Sequence, residues 1–271
     1  MSIVGGPKII TDGMAFSFDA GNVKSYPGTG DNWYDLSENK YHAVRVNTGN
    51  TISYSESEKA WFFDTEGANN STDGFYITRL NYVSGTSDQI NNFTIETWIK
   101  NQTGVRETGN DERIILSYDR SAVFRFGIGF DSAGAGNGRG RPFFGAFAGG
   151  AGDIQATSYS GDIRDLQWHH VIVAFEDVAR TGTGSLNYYL DGVNIHSATG
   201  SYTALSSGTT GETPRYGWIG NGSEAGSEGV SIGPGNPFAG YMRVLRMYDQ
   251  KTFTAAEVLQ QYNATKSRFG L

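Results

Sequence analysis

The chain has 271 residues, with 21 Lys+Arg against 28 Asp+Glu, and the resulting net charge of −7 argues against the basic stripe of a nucleic-acid binder. Its 38 glycines and 13% aromatic residues suit many short strands joined by turns, and exclude the aromatic-poor composition of a disordered chain. With no cysteine there is no disulfide framework, thiolate metal site or cysteine nucleophile, so a large hydrophobic core must supply the stability.

In chain order, residues 1–11 read as an N-terminal arm without the basic and long apolar regions of a secretory signal, and no run is long enough to insert into a membrane. Strand-like runs then recur: MAFSFDA (14–20), AWFFD (60–64), GFYITRL (74–80) and NFTIETWIK (92–100). In the last, Phe93, Ile95, Thr97 and Ile99 fall on one face and Thr94, Glu96 and Trp98 on the other. RIILSY (113–118), AVFRFGIGF (122–130), RPFFGAFA (141–148) and WHHVIVAF (168–175) follow, then SLNYYLDGVNIHSA (185–198), RYGWIG (215–220) and FAGYMRVLRMYD (238–249). Asp191-Gly192 is a strong hairpin signal, because a two-residue type I′ turn needs positive φ at both positions. A helix over 254–267 closes the chain, with Thr254 and Glu257 spaced as a capping box and Val258, Leu259 and Tyr262 on its apolar face. No linker or fixed-period repeat interrupts the pattern, so residues 1–271 read as one domain: an all-β sandwich with a late helix.

FTIETWIKN, WHHVIVAF, LNYYLDGVNI and GWIGN followed by FAGYMRVLRMYDQKTFTAAEVLQQYNATKSRFGL, taken in that order, resemble the concanavalin A-like lectin/glucanase superfamily, in its laminin G-like (pentraxin-like) branch. GDNWYDLSENKYHAVRV (30–46) and AWFFDTEGANNSTDGFYI (60–77) resemble its early strands. The resemblance implies a jelly-roll sandwich of two antiparallel sheets, with a concave face or rim loops that bind glycans, often with calcium. The ending YNATKSRFGL resembles lectin-like domains in structural proteins of tailed bacteriophages, notably those of marine cyanobacteria. That implies a virion location reached from the host cytoplasm, other virion proteins as partners, a homo-oligomer and contact with cell-surface polysaccharide.

The chemistry-bearing residues are few. His169 and His170 are adjacent in a strand and so point to opposite faces; they read as packing, not as one metal site. Glycosidases of the superfamily alternate carboxylates along one strand, and hydrolysis needs two of them facing one cleft. Glu56 and Glu58 share parity but lie in a polar connector, and Glu96 is a lone carboxylate that reads as solvent-side or paired, so no catalytic residue is assigned. DTEGANNSTDG (64–74) offers hard oxygen ligands for calcium, chiefly Asp64, Asn70 and Asp73, with an ordinary polar turn as the alternative. GAGAGNGRGRP runs into a strand instead of a helix, which removes a phosphate cradle but leaves Arg139 and Arg141 able to touch a partner or acidic glycan. Sugar stacking needs an exposed aromatic ring with polar neighbours, which makes Trp33, Tyr34 and Tyr159 candidates, although the resemblance of the Trp33-Tyr34-Asp35-Leu36-Ser37 stretch to the family implies that Trp33 packs under the first loop. Trp61, Trp98, Trp168 and Trp218 read as core or inter-sheet anchors. Three functions remain open at this level: a non-enzymatic virion structural protein (capsid decoration, tail or fibre), a free-standing lectin, and a glycoside hydrolase.

Overall fold

A computed structural model describes residues 7–64, 72–83, 92–101, 112–118, 124–130, 140–146, 154–156, 158–177, 183–201, 214–222, 227–229 and 235–271. Strands are numbered in chain order, and among these residues they form two antiparallel sheets of eight strands each. Sheet A holds β1 (Met14–Asp19), β4 (Ile52–Ser55), β5 (Ala60–Phe63), β7 (Asn92–Asn101), β12 (His169–Glu176), β13 (Thr183–Leu190), β14 (Val193–Ser201) and β16 (Gly240–Asp249). Its order is β14-β13-β12-β7-β16-β5-β4, and β1 pairs with β16 beside β5. Sheet B holds β2 (Asn32–Trp33), β3 (Ala43–Val46), β6 (Gly74–Val83), β8 (Glu112–Tyr118), β9 (Phe124–Phe130), β10 (Gly140–Ala146), β11 (Ile154–Gln155) and β15 (Pro214–Ile219), in the order β11-β10-β9-β8-β15-β6-β3-β2. This is the jelly-roll arrangement that the resemblance implies. No helix of the described residues is long and apolar enough to cross a membrane.

The strands alternate as a two-layer sandwich requires. Phe93, Ile95 and Ile99 of β7, Val171, Val173 and Phe175 of β12, and Leu245 and Met247 of β16 face Trp33, Phe75, Ile77, Phe126 and Phe144 of sheet B in one buried cluster. The opposite face of sheet A is also dry: Ile172, Ala174, Tyr189 and Tyr248 pack with Phe253 and Val258 of the C-terminal segment. β7 is therefore buried on both faces, and this determines the environment of its polar residues.

Two local expectations hold in detail. Asp191 (φ 50°) and Gly192 (φ 83°) make the two-residue turn, with Leu190 opposite Val193. Thr254 caps α1 (Ala255–Thr265), and Glu257 returns the bond to the Thr254 backbone, completing the capping box. The helix face differs from expectation. Val258, Gln261 and Thr265 are the buried residues, whereas Leu259 is 48% exposed. The reason lies in what α1 covers: the sheet surface beneath it presents a carboxylate and an indole N–H, which need polar partners.

Candidate functional site

His170 and Glu96 lie under α1. Glu96 is fully buried; its Oε1 accepts from Arg246 Nη1 (2.7 Å) and His170 Nε2 (3.0 Å), and its Oε2 from Gln261 Nε2 (2.6 Å). The Tyr248 hydroxyl is 3.3 Å from Oε2, and Arg246 Nε donates to Ser17 Oγ (3.2 Å). Burial pushes the Glu96 carboxyl up, but the Arg246 charge, the His170 bond and charge and the Gln261 bond outweigh it, bringing the pKa down to about 2. Beside it, Trp98 Nε1 donates to Thr265 Oγ1 (3.0 Å), and the Phe269 ring stacks on the indole at 3.9 Å and 5°. Arg268 then grips Asp19 with two bonds of 2.6 and 2.8 Å. The ending of the chain is thus a clip on the outer face of sheet A. Glu96 belongs to that clip and is paired, which corrects the solvent-side alternative.

His169 points the other way. Its Nδ1 meets Asp191 Oδ2 (2.8 Å) and its Nε2 meets Asp165 Oδ1 (3.1 Å), so both ring nitrogens face carboxylates. Burial lowers its pKa, but the hydrogen bond and charge of Asp191 and the charge of Asp165 prevail, leaving it above its ordinary value of 6.5. A raised folded pKa contributes stability that is fully present below about 6.5 and disappears as pH rises through the folded value. The melting temperature of wild type should therefore exceed that of His169→Gln by most near pH 6, with the gap shrinking towards pH 9. A gap that is flat or grows over this range would contradict the pairing.

Glu56, Glu58 and Asp73 are also engaged. Glu58 accepts from Lys100 Nζ (2.8 Å) and Trp168 Nε1 (3.1 Å), and Trp168 is half-buried, not a core residue or an anchor between the sheets as expected. Glu56 pairs with Lys59 (2.6 Å) in the turn between β4 and β5. In the acidic loop, Asp73 is buried and accepts from Gly49 N (2.9 Å), Thr51 N (3.0 Å), Thr51 Oγ1 (2.8 Å) and Thr48 Oγ1 (3.1 Å). Burial opposes and these bonds favour its ionised form; the bonds win, and its pKa falls. Asp73 thus clamps the turn between β3 and β4. Asp64 is exposed, and Asn70 lies outside the described residues.

The sugar-binding candidates do not converge. Trp33 is fully buried between Phe18 (5.3 Å), Phe75 (5.6 Å) and Trp61 (6.3 Å), so it cannot present a ring to a ligand; it belongs to the core. Tyr34 is 37% exposed and meets His42 edge-on at 5.2 Å. Arg141 lies on β10, at the other end of sheet B from Trp33 and Tyr34. Tyr159 is half-buried against the core, three residues before Asp162, which accepts from Gly140 N of β10 (3.0 Å). Arg139 lies outside the described residues.

A cavity of about 190 Å³ opens instead beside the β4–β5 turn, lined by Tyr26, Pro27, Gly28, Tyr54, Glu56 and Lys59 among others. Tyr54 is half-buried; its ring packs at 4.6 Å on Tyr26 and its hydroxyl donates to Ala20 O (3.0 Å). Trp61 supports both rings from below, 4.4 Å from Tyr26 and 5.6 Å from Tyr54. Gly28, at φ 92°, brings the backbone against Glu56, and a Cβ there would sit 3.5 Å from Oε1. An aromatic wall with one carboxylate and one ammonium at its mouth can hold a small polyol by ring contact and hydroxyl bonds. A larger cavity of about 480 Å³ near Thr11, Met14, Leu36 and Asn39 has no aromatic wall. Sequence reasoning passed over Tyr54 because SYSESEKAW reads as a polar connector; the signal was a tyrosine next to Glu56 and Lys59, but its partner Tyr26 lies 28 residues away on another loop.

Two sheets packed in this order, closed by a C-terminal helix, define a lectin-like sandwich. The chain belongs to the concanavalin A-like lectin/glucanases superfamily, whose Laminin_G_3 profile matches residues 76–259. Among solved structures it is similar to Trypanosoma rangeli sialidase in complex with the inhibitor DANA (15% identity, TM-score 0.53, covering 94% of this chain and 33% of that one). A mutant of the same sialidase displaying trans-sialidase activity gives 13% identity and TM-score 0.53, over 97% of this chain and 34% of that one. The binding domain of Paraclostridial Mosquitocidal Protein 1 gives 14% identity and TM-score 0.53, over 93% of this chain and 52% of that one. The chain therefore spans about a third to a half of these proteins, and at such identities the likeness is one of fold. Comparison with curated protein sequences gives no match.

Proposed function

We propose that this protein is a non-catalytic, lectin-like binding and assembly module of a tailed-bacteriophage virion, a capsid decoration or a tail or fibre component, that holds a cell-surface glycan in the Tyr54 cavity. The observation that carries the binding part is that, among the described residues, the cavity has a single carboxylate. Glu56 lines it beside Tyr26 and Tyr54, whereas Glu58 is held by Lys100 and Trp168 and is not among its walls. Glycoside hydrolysis of the ordinary kind requires two carboxyl groups across one bond, so this arrangement favours retention of a sugar over its cleavage. The virion part rests on the likeness of YNATKSRFGL to endings of phage structural proteins.

A glycan array that includes bacterial envelope polysaccharides tests the binding. Wild type should retain a defined subset, and Tyr54→Ala should bind it at least tenfold more weakly, about 1.4 kcal/mol or more. Unchanged binding by a folded Tyr54→Ala variant would rule the cavity out. A chelator arm reads the calcium expectation for Asp64, Asn70 and Asp73. Detection of the chain in purified particles separates a virion component from a free-standing lectin.

A further inference from the structure

The two walls of the Tyr54 cavity are built differently. Tyr54 belongs to β4 and is fixed by its pairing with β5, whereas Ala20, Gly21, Val23 and Tyr26 come from a series of turns that follows β1. Those turns are organised by one residue. Asp19 Oδ1 accepts from Gly21 N (3.1 Å), Asp19 O accepts from Asn22 N (3.0 Å), and Asp19 N donates to Ser25 Oγ (3.0 Å). Asn22 O then accepts from Ser25 N and Tyr26 N, each at 2.8 Å. Where Tyr26 sits therefore depends on where Asp19 is held.

Asp19 is held from far along the chain. Arg268, in a single 3-10 turn (Lys266–Phe269) that follows α1, donates to both of its carboxylate oxygens, and a bidentate pair fixes orientation as well as distance. A second tie runs through Arg243 of β16. Its backbone O accepts from Ala20 N (2.8 Å), its Nη1 donates to Arg268 O (3.1 Å), and its guanidinium lies over the Phe269 ring, 4.9 Å from the centroid. Gly21 rests against the same guanidinium: a Cβ there would meet Nε at 2.5 Å and Nη2 at 2.7 Å, so a residue without a side chain is what allows the approach. Phe269 is itself stacked on the buried Trp98 of β7. The cavity wall thus leans on Arg243, and Arg243 leans on the Lys266–Phe269 turn.

We infer that Arg268 and Phe269 are positioning residues for the Tyr54 cavity: by holding Asp19 and Arg243 they keep residues 20–26 where the Tyr26 ring packs on Tyr54 at 4.6 Å. The inference rests on the glycan-binding reading of that cavity and adds a control point to it, since docking of the turn and occupation of the cavity favour one another. Linkage makes the effect reciprocal: a ligand that needs the ordered wall must also tighten the turn. Glu96 bonds to Gln261 of α1 and to neither Arg268 nor Phe269, so its replacement does not act by this route.

Hydrogen exchange and glycan binding by the full chain, with wild type beside Arg268→Ala, test this. In the variant the amides of Gly21, Ser25 and Tyr26 should exchange about tenfold faster or more, and those of β7 and β12 much less so, because only the wall has lost its support. Affinity for the glycan that wild type retains should fall by about the same factor, inside the usual range of coupling between sites. Saturating wild type with that glycan should slow exchange at Leu271 N, which donates to Lys266 O (3.3 Å), and should leave it unchanged in Tyr54→Ala. Phe269→Ala keeps the ion pair and removes the ring under Arg243; it should act in the same direction, and it decides the matter if Arg268→Ala does not fold. Gly21 exchange that stays at the wild-type rate in both variants, or that rises only in step with β7 and β12, would overturn the inference. Full affinity in a variant whose wall exchanges faster would overturn it too. A wild type that retains no glycan refutes the cavity reading instead, and the exchange rates still decide the positioning role.

Discussion

Replacing Glu96 with glutamine is expected to lower the unfolding free energy by about 3–5 kcal/mol, the usual cost of leaving one partner of a buried ion pair uncompensated. Arg246 is as deeply buried as the carboxylate it meets at 2.7 Å, and burial opposes its charge while Glu96 sustains it. Glutamine keeps the shape but removes the charge, and its amide cannot accept from Arg246, His170 and Gln261 as two carboxylate oxygens do. Urea unfolding at pH 7 measures the loss. The acid limb provides a second check. Since the folded pKa of Glu96 is depressed from 4.5 to about 2, its contribution is full above about 4.5 and is lost as pH falls through about 2. Part of the acid sensitivity of wild type should therefore be missing in the variant. A loss below about 1 kcal/mol, the range of exposed ion pairs, would mean that the network is solvated and the C-terminal clip is open.

Trp61→Ala carries the second large effect, again about 3–5 kcal/mol, from lost transfer energy and the hole left behind. Trp61 is fully buried and lies within 6.3 Å of Trp33, 4.9 Å of Phe75, 4.4 Å of Tyr26 and 5.6 Å of Tyr54, so little around it can collapse without moving several rings. Because Tyr26 and Tyr54 wall the cavity, the same substitution should weaken glycan retention, whereas Glu96→Gln, on the opposite face of the sheet, should not. Calorimetry with a parallel binding assay separates the two. Equal loss of binding in both variants would point to general unfolding.

The local signals in the sequence were read correctly where a neighbour decides the outcome. Asp191-Gly192 needed only its own φ angles, Thr254 and Glu257 only each other, and the alternation of β7 only its own pleat. The opposite faces of His169 and His170 follow from the same geometry. Features set by distant contacts were not legible. Glu96 looks like a surface carboxylate until Gln261, 165 residues later, is laid over it. That overlay also inverts the helix face, burying Gln261 and exposing Leu259. Trp33 carries a sugar-stacking composition, Trp-Tyr-Asp, and only the family resemblance points to its packing under the first loop; the rings that enclose it, Phe18, Trp61 and Phe75, come from three other strands. The short strands β2, β3, β4 and β11 gave no period because two to four residues contain at most two repeats of an alternating pattern.

Incubating the protein with envelope polysaccharide that it retains, and following both retention and newly formed reducing ends over hours, tests the account most directly. Retention without any rise in reducing ends, lost in Tyr54→Ala, is the predicted result. Reducing ends that accumulate with wild type and vanish in Glu56→Gln or Glu58→Gln would show a working carboxylate pair and contradict it.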